Sequence, residues 1–186
     1  IYYQYIIIYI LILIMLSSEI DKILDNYPDF PKDGILFRDI MPLLREPKIF
    51  KDLIEEMSES PIIKDSDAII AVDARGFIFG SSIALLTQKP FIAARKPGKL
   101  PGELISKSYS LEYGKNSLSL QKKAINEYDN FAIVDDLLAT GGTVKCIQEI
   151  IFSVKKNIAG LVVVIELMDL LGREKLKFNV DSILKY

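Results

Sequence analysis

"FAIVDDLLATGGTVKCIQEII", Phe131–Ile151, decides how this chain is read. An apolar run, Phe131–Val134, ends on two adjacent carboxylates, Asp135 and Asp136. It then turns through Ala139, Thr140, Gly141, Gly142 and Thr143 into a stretch with helical spacing. The run reads as a buried strand and the glycines as a tight turn. In an open parallel sheet, ligands sit beyond the carboxyl ends of the strands. There the turn would aim backbone N–H groups and hydroxyls at one point, and the following helix would add its positive end. A phosphate fits such a nest. Two aspartates beside it do not help to hold an anion. They suit ribose hydroxyls, which donate to carboxylates, or a metal carried by the same ligand. The pattern therefore points to a ribose 5-phosphate. It matches neither the GxxxxGK[ST] loop nor the GxGxxG fingerprint.

The rest of the chain agrees with an α/β fold, a mostly parallel sheet flanked by helices. "DAIIAVDARGFIFGSSIALL" reads as strand, turn and helix, "PFIAAR" as a short strand, and "GLVVVIEL" as another buried strand. Residues 47–59 keep helical spacing, with Ile49, Phe50, Leu53, Ile54 and Met57 inward. "SKSYSLEYGKNSLSLQ" alternates on both sides of Gly114-Lys115, a hairpin signal. "YPDFPKDGILFRDIMPLL" is broken by Pro28, Pro31, Gly34 and Pro42 and reads as ordered loop and short strand.

Composition narrows the function. The 186 residues suffice for one well-buried core, and a net charge of −2 gives no overall case for nucleic acid. A polyanionic ligand needs a local basic cluster, and Arg75, Arg95, Lys96 and Lys99 offer one. The one cysteine, Cys146, allows no internal disulfide, and a reducing, cytoplasmic compartment is the simplest reading. No histidine is present, so acid–base work falls to carboxylates, lysines, tyrosines or the substrate.

"IVDDLLATGGT" resembles the signature of the type I phosphoribosyltransferases, which bind 5-phosphoribosyl-1-pyrophosphate. Four further stretches are similar to the adenine phosphoribosyltransferases in particular: "DFPKDGILFRDIMPLL", "DARGFIFG", "ARKPGKLPGE" and "SYSLEYGKNSLSLQKKAI". With "GREKL" the resemblance runs from about Ile20 to the end. Ser119 and Lys123 stand where the family often has acids. The resemblance implies transfer of phosphoribose to adenine in purine salvage, giving AMP and pyrophosphate, with Mg²⁺ held mainly by substrate and water, in a homodimer. It implies a donor site at Arg75, Arg95, Lys96, Lys99, Asp135, Asp136 and Ala139–Thr143, with some basic residues serving the neighbouring subunit. It implies a flexible hairpin hood over Lys96–Gly114, with Glu112 approaching the purine or the ribose and managing adenine's proton. Leu36 and Arg75 main-chain groups would read the purine edge, with Phe37 and Leu167 against the ring. Arg38 is left between the base region, the donor, and a pairing with Asp39 or another acid. No lysine stands in "IELMDLL" to read a 6-oxo group.

The run "IYYQYIIIYILILIML" stands apart, with Gln4 its one clearly polar residue. As a helix it would extend roughly 24 Å, short of the ~30 Å hydrocarbon core. It lacks the basic region and cleavage site of a signal peptide. Residues 1–14 are read as a dispensable extension, with a membrane-associating segment and a part of the fold as alternatives. Residues 15–186 are read as a single phosphoribosyltransferase domain. The first helix is expected to be capped at Ser17 or Ser18 and to turn Ile20, Ile23, Leu24 and Tyr27 to one side.

Overall fold

A computed structural model describes residues 2–111 and 114–186; the side chains of residues 2, 3, 5, 6, 109–111 and 114–116 lie outside the description. The chain divides into two compact units, Ile1–Glu56 and Met57–Tyr186.

The first unit opens with helix α1, Tyr2–Ile23. It does not start at Ser17 or Ser18 but runs through both, because no glycine or proline precedes them to stop it. Its faces differ along its length. Ile8, Leu11, Ile12, Ile14 and Met15 are exposed, whereas Leu16, Ile20 and, just past the helix, Leu24 are buried. A short antiparallel pair follows, β1 (Asp25–Tyr27) with β2 (Phe37–Asp39). The loop between them is set by Asp29, whose carboxylate accepts the Gly34 N–H at 2.8 Å, and by an edge-to-face contact of Phe30 with Phe37. Asp39 accepts from the Met41 N–H at the entry to the 3-10 turn Met41–Arg45. Helix α2, Pro47–Glu59, matches the expected span and buries Leu53, Ile54 and Met57.

The second unit is built on five parallel strands in the order β4-β3-β7-β8-β9. They are β3 (Ala68–Val72), β4 (Phe91–Ala94), β7 (Asn130–Leu138), β8 (Asn157–Glu166) and β9 (Asn179–Lys185). Residues Phe131–Val134 and Leu161–Ile165 are essentially inaccessible, as the continuous apolar runs of a sheet covered on both faces require. The helices are α3 (Pro61–Lys64), α4 (Gly76–Thr87), α5 (Lys122–Asn126) and α6 (Gly142–Ser153). On α6, Val144, Ile147, Ile150 and Ile151 are buried, at the helical spacing seen in the sequence. Because the strands are parallel, their carboxyl ends share one edge. That edge carries Asp73 after β3, Arg95 after β4, Asp135 and Asp136 in β7, and Glu166 at the end of β8.

Two features differ from the sequence reading. Strand β9 has no apolar run; only Val180 and Leu184 are buried, the pattern of an edge strand with one covered face. The hairpin is shifted. Strands β5 (Leu104–Leu111) and β6 (Gly114–Gln121) pair Leu111 with Gly114, so Gly114 and Lys115 belong to the second strand rather than to the turn. The ribbon is tied across by Ser106–Ser119 and Ser108–Ser117 hydroxyl pairs, and an Arg95–Ser119 bridge joins it to the end of β4.

Gly160 shows how tightly the sheet is filled. A Cβ there would lie 2.6 Å from Ile62 Cδ1 and 2.8 Å from the Asn179 carbonyl, its neighbour on β9. Gly160→Ala is expected to destabilise the fold by about 1–3 kcal/mol, as overpacking does. Urea denaturation beside the parent protein measures it, and an unchanged midpoint would contradict the packing described.

Candidate active site

The carboxyl ends of β3 and β7 and the start of α6 enclose a cavity of about 480 Å³. Its floor is the turn Ala139–Thr143, the phosphate-type turn of the sequence reading. Gly141 makes the turn possible: at φ 75° it occupies the left-handed region at the N-terminus of α6. Arg75, Lys96, Asp135 and Asp136 line the wall. The structure thus gathers Arg75, Lys96, both aspartates and all five turn residues around one cavity.

The aspartates are unequal. The Arg75 Nε lies 2.8 Å from Asp136 Oδ2, a charge-assisted contact. Asp135 accepts the Asp136 backbone N–H on Oδ1 at 2.9 Å. Burial and the neighbouring Asp136 carboxylate push the Asp135 carboxyl well above the usual carboxylate range, against the opposing pull of the Asp136 N–H and the Arg75 guanidinium. Gly76 permits this arrangement, because a Cβ there would stand 2.8 Å from Asp135 Oδ1 and 3.0 Å from the Val134 carbonyl. Helix α4 therefore starts directly against the end of β7, and Arg75, at its N-terminus, reaches the paired acids.

Two of the expected donor residues do not line the cavity. Arg95 Nε binds Asp73 Oδ2 at 2.8 Å, its guanidinium lies over the Phe77 ring, and its Nη1 donates to the Lys99 carbonyl at 3.3 Å. A carboxylate, an aromatic face and a carbonyl together hold the Arg95 guanidinium against Asp73, itself part of the cavity lining. Lys99 meets Arg95 through its backbone, and its side chain is exposed. Asp73, which does line the cavity, was missed in the sequence although it directly follows a buried strand. Leu167 is half-buried just past β8, its N–H on the Leu138 carbonyl, and it does not line the cavity. Leu36, Phe37 and Arg38 lie in the first unit. Leu36 is exposed, Phe37 stacks edge-on with Phe30, and Arg38 Nη1 donates to Asn26 Oδ1 at 3.0 Å. Glu112 lies outside the described residues.

Comparison with known proteins identifies the arrangement. A curated adenine phosphoribosyltransferase of Prochlorococcus marinus (strain MIT 9515) is 58% identical over 167 residues, covering 90% of this chain and 98% of that protein. The chain belongs to the adenine phosphoribosyltransferase family. A relative from Halothermothrix orenii is 48% identical over 90% of this chain and 99% of its own length. No protein-family model matches. Among solved structures, the adenine phosphoribosyltransferase of Thermoanaerobacter pseudethanolicus superposes with a TM-score of 0.85 at 40% identity, covering 91% of this chain and 99% of that one. The enzyme of Saccharomyces cerevisiae, solved with an imino-altritol bisphosphate and adenine, gives 0.80 at 36% identity over 91% and 99%. The type I phosphoribosyltransferase fold expected from the motifs is therefore the fold of the chain.

A carboxyl whose pKa is raised on folding costs stability once the pH passes above its ordinary value. Below that value both states are protonated and the cost vanishes. Asp135→Asn is therefore expected to melt at a higher temperature than the parent protein at pH 7, with the gain closing as the pH falls towards 3.8. Thermal melts across that range test it, and a lower melting temperature at pH 7 would contradict the assignment. The double variant Asp135→Asn with Asp136→Asn should stay folded and lose most of its use of phosphoribosyl pyrophosphate, because two acceptors for ribose hydroxyls are gone.

Proposed function

We propose that the chain transfers the 5-phosphoribosyl group of phosphoribosyl pyrophosphate to adenine, releasing AMP and pyrophosphate. One observation carries the reading: the Thr140–Thr143 turn and the Asp135–Asp136 pair share a cavity, the first suited to a 5-phosphate and the second to ribose hydroxyls. In the reaction the ribose C1–O bond to pyrophosphate breaks, a C1–N9 bond to adenine forms, and N9 gives up its proton. The transition state has oxocarbenium character, as in glycoside cleavage. Catalysis then rests on holding donor and base in line, on stabilising the departing charge, and on excluding water.

Each group has a part in this. Backbone N–H groups of Thr140–Thr143 and the N-terminus of α6 hold the 5-phosphate. Asp135 and Asp136 accept from the ribose hydroxyls, and Arg75 and Lys96 face the pyrophosphate. Mg²⁺, a hard cation, would be held mainly by substrate oxygens and water, with the carboxylates of the cavity as compatible neighbours, and would neutralise leaving-group charge. Arg95 and Lys99 join Lys96 in the basic segment that binds the donor, some of it serving the neighbouring subunit, and Arg95 also holds Asp73. Glu112 takes the N9 proton, and Leu36, Phe37, Arg38 and Leu167 read the adenine. These last roles rest on the resemblance to the family.

The working form is a cytoplasmic homodimer with its activity in residues 15–186. Apolar Leu85 and Leu86 on α4 and Phe91 on the outer strand β4 are exposed, which supports burial against a second copy. Among the described residues no helix is long and apolar enough to cross a membrane. Among the described residues of α1, full burial begins at Leu16, which supports a dispensable run before Met15; against it, the Tyr9 hydroxyl donates to Glu56 on α2 at 2.6 Å and ties the run to that helix.

Two measurements test this reading. AMP formation from labelled adenine, phosphoribosyl pyrophosphate and Mg²⁺ should proceed, while hypoxanthine and guanine give no nucleotide; equal turnover of hypoxanthine would overturn the base assignment. A chain beginning at Met15 should be soluble, dimeric and as active as the full chain. Loss of activity in that shorter chain would make the apolar run part of the fold.

A further inference from the structure

The phosphate turn does not stand alone. A second turn, the 3-10 segment Gly172–Lys175, packs against its back. A Cβ on Gly141 would lie 2.6 Å from the Gly172 carbonyl oxygen, and a Cβ on Gly172 would collide with the Ala139 carbonyl. The two glycines thus bring backbone against backbone with no room for a methyl group. Lys175 adds a directional contact: its Nζ donates to the Thr140 carbonyl at 2.8 Å.

This second turn is itself firmly held. Arg173 forms a two-pronged pair with the buried Glu166, Nε to Oε1 at 2.8 Å and Nη2 to Oε2 at 2.5 Å. Its Nη1 donates to the Val180 carbonyl at 2.9 Å, and the Ser182 hydroxyl lies 2.8 Å from Glu166 Oε2. The Arg173 guanidinium holds the Glu166 carboxyl below its ordinary range, so the pair is charged at neutral pH. Glu166 ends β8, and Val180 and Ser182 belong to β9. The second turn is therefore pinned to two strands of the sheet.

We propose that Gly172 and Lys175 are positioning residues that brace the phosphate turn from behind and set its grip on the 5-phosphate. The inference rests on the phosphoribosyltransferase reading of the cavity. Its physical basis is the planarity of the peptide. The Thr140 carbonyl and the Gly141 N–H belong to one rigid unit, so fixing the oxygen against Lys175 also fixes the N–H of a residue that lines the cavity. Pre-set donors bind an anion without the cost of ordering them at the moment of binding. Adenine is not handled by this turn, so the brace should act on one substrate only.

The test uses ribose 5-phosphate binding by calorimetry together with steady-state kinetics on the full chain. Lys175 is exposed, and Lys175→Met should fold normally. It is expected to weaken ribose 5-phosphate binding and raise the KM for phosphoribosyl pyrophosphate by about threefold to tenfold, the scale of one ordinary hydrogen bond. The kcat and the KM for adenine should hardly move, and Lys175→Arg should restore binding. Gly172→Ala should raise the same two constants by about tenfold or more, because backbone must shift. A folded Lys175→Met protein that keeps both constants within about twofold would overturn the proposal. So would a parallel fall of kcat and of affinity for both substrates. If the parent protein binds ribose 5-phosphate but makes no AMP, the functional reading fails while the brace is still judged by binding.

Discussion

A carboxyl group buried near the end of the central strand is the constraint on which this site depends. Strand β7 has parallel partners on both sides, so its carboxyl end is surrounded by protein. Placing Asp135 there is unfavourable for its charged form, and placing Asp136 next to it adds repulsion. The surrounding structure offsets this at close range. The chain supplies a backbone N–H to Asp135, and β3 delivers Arg75 to Asp136. The parallel order of the sheet makes this delivery possible, because neighbouring strands finish on the same edge. Two acids, each with a close partner, therefore stand side by side next to the Thr140–Thr143 turn.

The same edge organises a second tier of pairs. Arg95 with Asp73, and Arg173 with Glu166, each join the ends or flanks of neighbouring strands. Neither Arg95 nor Arg173 lines the cavity. They fix segments that do so or that touch those which do: Asp73 in the wall, and the Gly172 turn behind the floor. An arginine near a cavity need not line it to shape it. Its planar fork is equally suited to holding a carboxylate in place.

The sequence disclosed the centre of this arrangement because the centre is local. Asp135, Asp136 and the turn to Thr143 are contiguous, and the flanking periodicities identify strand and helix without tertiary information. Arg75 and Lys96 were legible as cations following apolar strands. What was not legible depends on partners distant in the chain. Nothing in "AARKPGK" says that Arg95 turns to Asp73, 22 residues earlier, or that Lys99 offers its carbonyl. Strand β9 was hidden because an edge strand with one covered face needs only two buried residues. The hairpin was displaced because glycine and lysine read as turn residues, whereas strand pairing set the register. The first helix proved longer than its cap residues suggested, since serine within an unbroken apolar helix is tolerated where the chain has no reason to stop.

Gly76 has a consequence for how such a site can vary over time. It contributes no functional group, and its role is to leave a space that the Asp135 carboxylate and the Val134 carbonyl already occupy. A lost side chain can often be compensated by a neighbour or a water. A space that must remain empty has no such substitute, since each of the other nineteen residues adds at least one carbon there. Any side chain at this position displaces the Asp135 carboxyl or crowds the Val134 carbonyl, so a change here is felt first by the acid pair. In this site a residue without chemistry is more restrictive than several that have it.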